Sequence, residues 1–155
     1  MYKIGESAAD VKGPSTKGEF DMRAHAGRWV VLYFYPKDNT SACTLEARDF
    51  SAAKDKFDAE GCDIAGVSRD SVRTHEGFCA RQDLSIELIS DKDEALCTAF
   101  DVIKPKVMYG KPCRGIVRST FLIDPAGVIV REWRGVKVPG HVEEVLAALR
   151  ELKAA

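Results

Sequence analysis

The sequence predicts an α/β fold: a mixed central β-sheet with helices on both faces. Three observations carry this expectation. Apolar runs at 29–35 and 62–68 each lead through a polar loop into a stretch with helical spacing, a proline-and-glycine turn at 124–127 joins two further strand-like runs, and the chain closes on an amphipathic helix. At 155 residues the expectation is one domain spanning 1–155, large enough for a core without metal or disulfide staples. Hydrophobic residues at 45% and charged residues at 30% describe a soluble globular chain, and a net charge of -1 gives no reason to invoke nucleic acid or an anionic membrane. The first residues carry no leader pattern and no apolar stretch approaches spanning length, so the default location is the cytoplasm.

Residues 1–27 are weakly patterned, with 12–19 reading as turns between short edge strands at best. His25 has no acidic or nucleophilic neighbour in sequence and reads as a surface or satisfied polar residue. The run 29–35 is β-branched and aromatic nearly throughout, which suits a strand buried on both faces, and Pro36 ends it. Ala47, Phe50, Ala53 and Phe57 then form one stripe of a helix beginning at Thr40 or Ser41. Gly61 stops that pattern, and 62–68 is a second buried strand that closes a βαβ unit.

Ser71 caps a second helix that runs to about Gln82, with Val72, His75 and Cys79 on one face. Gly77 weakens it by roughly 1 kcal/mol relative to alanine. Residues 86–89 make a short strand, and 91–94 introduce a brief helix in which Cys97 reads as core packing. The segment 101–114, interrupted by Pro105, Gly110 and Pro112, is expected to be a long irregular loop that exposes Cys113. Runs at 115–123 and 128–133 flank the turn as an antiparallel hairpin, and 140–153 is the closing helix. Together these elements describe the thioredoxin-like arrangement.

The five cysteines are too far apart in sequence for a structural zinc motif or a C-x-x-C dithiol, so each needs its own account. Cys43 falls in the first turn of its helix, where free N–H groups and the positive end of the dipole favour thiolate over thiol. From position alone it is either a reactive thiol or a small buried hydrophobe. Arg118, inside a run of strand formers, is either the holder of an anion or an edge-strand arginine with its head in water. In a thioredoxin-like sheet, the hairpin could bring it to the helix start that carries Cys43.

At these residues the chain resembles the peroxiredoxins. Pro36, Thr40 and Cys43, in the order P-x-x-x-T-x-x-C, look like the active-site motif of that family. The strings 33–40, 66–71, 118–123 and 136–141 are similar to the peroxiredoxin Q, or bacterioferritin comigratory protein, subfamily. The resemblance implies that Cys43 is the peroxidatic nucleophile and Thr40 a hydrogen-bonding partner of the reacting atoms. It implies that Arg118 stabilises the thiolate and the developing charge, and that Pro36 shields the thiol. Glu46 either orients Arg118 or another cation, or interacts with the first turn of its own helix.

The chain departs from the commonest subfamily pattern at Arg48, which stands where many relatives carry the resolving cysteine. A second branch has that cysteine in the next helix in a Phe-Cys-Ala context, which here is Phe78-Cys79-Ala80, and Cys79 is assigned on that likeness. Cys62, Cys97 and Cys113 are lesser candidates. Cys79 lies about 12 Å along its helix from the Ser71 cap, whereas a disulfide needs Cα atoms roughly 4.4 to 6.8 Å apart. Local unfolding is therefore expected to join the two thiols. The implied function is a thiol peroxidase acting on hydrogen peroxide and organic hydroperoxides, recycled by thioredoxin or glutaredoxin, monomeric and needing no cofactor or metal. Alternatives on the same fold are a thiol–disulfide oxidoreductase, disfavoured by the absence of C-x-x-C, and a redox-regulated holdase.

Overall fold

The computed structural model describes residues 2–155. A short edge hairpin, β1 (Lys12–Ser15) and β2 (Gly18–Asp21), precedes the central strand β3 (Trp29–Phe34). The chain continues through α1 (Ser41–Ala52), α2 (Lys54–Ala59), β4 (Cys62–Ser68), α3 (Val72–Gln82), β5 (Glu87–Ser90) and α4 (Ala95–Ala99). It ends with β6 (Ile103–Met108), β7 (Lys111–Ile116), β8 (Ser119–Ile123), β9 (Ile129–Arg134) and α5 (His141–Ala154).

Seven strands form one sheet in the order β2-β1-β5-β4-β3-β8-β9. The pairs β3–β4 and β4–β5 are parallel, while β3–β8 and β8–β9 are antiparallel, so the sheet is mixed and β3 lies inside it. Burial of β3 on both faces explains its unbroken apolar run. Val30, Leu32 and Phe34 enter one core with Phe100, Phe121 and Cys97 of the α4 side. Val31, Tyr33 and Tyr35 enter the other with Phe50, Phe57, Phe78 and Leu149, beneath α1, α2, α3 and α5. The thioredoxin-like expectation therefore holds, helices lying on both faces. Gly66 of β4 serves the second core directly: a Cβ there would stand 2.7 Å from the Tyr33 ring and 2.9 Å from Leu88, so only glycine admits the tyrosine.

Several local expectations are corrected. The segment 101–114 is not an irregular loop, because β6 and β7 pair antiparallel as a two-stranded ribbon outside the main sheet. Tyr109 and Gly110 both have positive φ, 53° and 76°, the requirement of a two-residue hairpin turn whose twist matches the strands. In a lone ribbon both strands are edges, so Pro105 and Pro112 are tolerated where a central strand would exclude them. Cys113 is half-buried within β7 rather than exposed in a loop.

The expected strand 115–123 is broken after Ile116, and Val117 and Arg118 form the link by which the chain crosses from the ribbon to β8. Arg118 is thus at a strand junction, not within a strand. The first helix also divides at Ala53, although Phe50 and Phe57 keep the predicted stripe on the core. His25 is satisfied by a remote carboxylate, its Nδ1 lying 2.6 Å from Oδ2 of Asp63 on β4. Among the described residues, no helix is long and apolar enough to cross a membrane.

Candidate active site

The buried strand β3 delivers its C-terminal end to the loop 35–40, and α1 starts directly beyond. Thr40 is the N-cap residue, with extended backbone and a carbonyl that accepts from Thr44 N–H at 2.8 Å. Its hydroxyl does not cap the helix but donates to the Lys37 carbonyl at 3.0 Å. Asn39 takes the left-handed conformation that asparagine tolerates, which turns the loop into the helix. Cys43 is then the third helical residue, within the set of N–H groups that have no partner inside the helix, and is only 2% exposed.

Arg118 reaches this point because β8 pairs antiparallel with β3, Ser119 facing Phe34. The residue before β8 must therefore lie at the strand end from which α1 departs. Its Nη2 donates to Cys43 Sγ at 3.3 Å and its Nη1 to Glu46 Oε1 at 2.6 Å. Glu46 follows Cys43 by one helical turn and is fully buried. The structure thus brings Cys43, Arg118 and Glu46 together. Thr40 stands at the head of the same helix, and half-buried Pro36 follows the strand end.

Burial holds three of the other thiols, Cys62, Cys79 and Cys97, away from ionisation. All five cysteines are free. Burial pushes the Cys62 thiol up to about 12 and the Cys97 thiol higher still, and burial together with Asp38 and Glu76 pushes Cys79 up to about 11. Among the described residues, Cys43 is the cysteine whose sulfur accepts a hydrogen bond from an arginine. Cys79 sits half-buried on α3.

Glu46 is unusual for a carboxylate in an ion pair. Burial pushes its carboxyl up to about 7, with the Arg118 guanidinium only partly offsetting it, and Oε2 is buried with no hydrogen-bond partner among the described residues. The folded carboxyl keeps its proton to higher pH than its ordinary 4.5, so the folded state holds an extra proton between the two values. Stability should therefore fall as pH rises from about 4.5 to about 7, and Glu46→Gln should flatten that part of the profile in urea titrations across this range. An equal slope in the variant would remove Glu46 as its source.

A second polar cluster adjoins the site and was not assigned a role from sequence. His75 Nδ1 lies 2.6 Å from Asp38 Oδ2, Tyr35 donates to Asp38 Oδ1 at 2.6 Å, and Asp38 N–H donates to Asp70 Oδ2 at 2.9 Å. The signal available in the sequence was His75 standing one turn before Cys79 on an apolar helix face. Donor atoms of Asp38, Asp70 and His75 fall within 4.8 Å of one another, yet their hydrogen bonds already use them, so the group is a hydrogen-bond network rather than a cation cage.

A thiol in the first turn of a helix, held by an arginine from the antiparallel side of a thioredoxin-like sheet, defines the peroxiredoxin class of site. The chain belongs to the AhpC/TSA family, whose model matches residues 4–132. Within that family it is a peroxiredoxin of the Q, or bacterioferritin comigratory protein, group. It is 60% identical over 129 residues to Peroxiredoxin Bcp of Xanthomonas campestris pv. campestris, a match covering 83% of this chain and 81% of that one. It superimposes with a TM-score of 0.89, at 51% identity and over 97% of both chains, on the Xanthomonas campestris bacterioferritin comigratory protein studied as trapped intermediate and ligand complexes for its alkyl peroxide reduction activity. A mutant of Xylella fastidiosa PrxQ superimposes with a TM-score of 0.93 at 42% identity, over 99% of this chain and 98% of that one.

Proposed function

We propose that Cys43 is the nucleophile of a peroxidase that reduces hydrogen peroxide and organic hydroperoxides and is recycled through a disulfide with Cys79. The observation that carries this reading is the Arg118 Nη2 contact with Cys43 Sγ at 3.3 Å, backed by Glu46. The Cys43 thiolate attacks the terminal peroxide oxygen and the O–O bond breaks. The sulfur is oxidised to sulfenic acid, and the departing oxygen leaves as water or alcohol after taking a proton. Arg118 and the Cys43 N–H face the charge that develops on the peroxide. The Thr40 hydroxyl spends its hydrogen on Lys37, so its lone pairs are free to accept the peroxide O–H. Pro36 limits water at the thiol. The activity of the Xanthomonas relative toward alkyl peroxides supports organic hydroperoxides as substrates.

Cys79 then attacks the sulfenic sulfur, an S–S bond forms, and the hydroxyl leaves as water. A dithiol of the thioredoxin or glutaredoxin type returns both cysteines to thiols. The reading includes a monomer, resting on the subfamily likeness, and the cytoplasm as its default location.

Two measurements test it together. One equivalent of peroxide should give a Cys43–Cys79 linkage on peptide mapping. Cys79→Ser should react with that first equivalent at the wild-type rate, yet lose thioredoxin-supported NADPH oxidation by at least about a hundredfold. A Cys43–Cys113 bond would sink the Cys79 assignment.

A further inference from the structure

The cluster around Asp38 takes no part in the peroxide chemistry, but it joins the loop that carries Thr40 to the helix that carries Cys79. His75 and Cys79 are one turn apart on α3. The His75 side chain is completely buried, and its Nε2 lies 2.9 Å from the Ile89 carbonyl oxygen, which can only accept. Nε2 therefore carries a hydrogen. At the other ring nitrogen, Nδ1 and Asp38 Oδ2 are 2.6 Å apart, a separation at which two lone pairs repel, so a proton lies between them. The pair thus holds one proton more than a neutral imidazole beside a free carboxylate.

The loop is bonded to α3 along the helix. Asp38 N–H meets Asp70, just before the Ser71 cap; the Asp38 carboxylate meets His75; and Arg81 near the helix end donates to Asn39 Oδ1 at 3.1 Å. Other titratable groups around the pair are Tyr33 of β3, Tyr35 just beyond that strand, Asp70 ahead of α3, and Cys79 and Glu76 on α3 itself. Burial raises both tyrosines and Cys79, which keeps them protonated at neutral pH. Asp70 Oδ2 accepts from Asp38 N–H and from Ser68 Oγ, as a carboxylate does.

We propose that the His75–Asp38 pair is a proton-held latch on α3: the opening that frees Cys79 separates the pair and releases one proton to water. The purpose of that opening rests on the reading of Cys79 as the resolving thiol, whereas the latch itself does not. Below about pH 6.5, the ordinary histidine value, the closed and open helix hold the same proton and opening is indifferent to pH. Above it the open state sheds the proton, so the opening constant should rise by up to about tenfold per pH unit.

Hydrogen exchange of the reduced full-length chain, corrected for base catalysis and followed by mass spectrometry, reads this opening without peroxide. Between about pH 6.5 and 8, protection of α3 peptides should fall by close to tenfold per unit relative to α5 peptides of the same sample. Asp38→Asn retains acceptor and donor positions for Tyr35 and a neutral His75 but needs no extra proton, so its α3 protection should be flat; His75→Gln should be flat as well. Flat exchange in the wild type, or an undiminished slope in Asp38→Asn, overturns the latch. A disulfide map without Cys79 would overturn the resolving assignment instead and leave the latch standing.

Discussion

Cys43→Ser is expected to remove peroxide consumption, lowering the rate on the order of 10⁴-fold or more. Serine occupies nearly the same volume, so the buried position beneath the start of α1 should stay filled, and Arg118 and Glu46 should keep their pairing. What is lost is the sulfur nucleophile that takes up an oxygen atom. Thermal unfolding should therefore move little while stopped-flow consumption of hydrogen peroxide and cumene hydroperoxide stops. Unchanged consumption would refute the central assignment, because the remaining thiols measured against it include Cys62 and Cys79, which burial holds up at about 12 and about 11.

Arg118→Met should slow the peroxide reaction by about 10²- to 10³-fold, the size of losing one charged donor aimed at a developing oxyanion. Methionine fills the aliphatic path of the arginine but leaves Cys43 Sγ without its donor. A second effect follows at Glu46. Its Oε2 already lacks a partner among the described residues, and losing Arg118 strips Oε1 as well. A buried carboxyl with neither oxygen bonded costs roughly 1–3 kcal/mol and holds its proton more tightly.

Stability and activity should then separate in a double variant. Arg118→Met with Glu46→Gln should regain most of the lost stability in urea titrations, since no buried charge remains to be paired, but none of the lost rate. Recovery of rate together with stability would show that Arg118 acts on the reaction only by holding the fold.

Much of this molecule was legible because its cues are local. The unbroken β3 run followed by Pro36, the Thr40 helix start, the Ser71 cap whose hydroxyl accepts from Thr74 N–H, and the turn closed by Gly127 N–H on the Asp124 carbonyl all lie within a few residues of the feature they specify. The ribbon β6–β7 is not legible in the sequence because Pro105 and Pro112 read as strand breakers, which holds only for a strand with neighbours on both sides. An isolated ribbon has none, and that is a property of the assembled sheet.

The sequence by itself determined the mixed α/β fold, the helix start that presents Cys43, and, through its motif strings, the family. Tertiary structure alone decided what surrounds that thiol. Arg118 meets Cys43 across 75 positions because β8 runs antiparallel to β3, and Asp38 meets His75 across 37 because β4 runs parallel to it and returns the chain to the same sheet edge. Hydrogen bonds and ion pairs depend on atoms a few ångströms apart, and no periodicity along a chain encodes which distant residues will share that space. For the same reason the orphaned oxygen of Glu46 and the proton between His75 and Asp38 belong to the folded molecule and not to its sequence pattern.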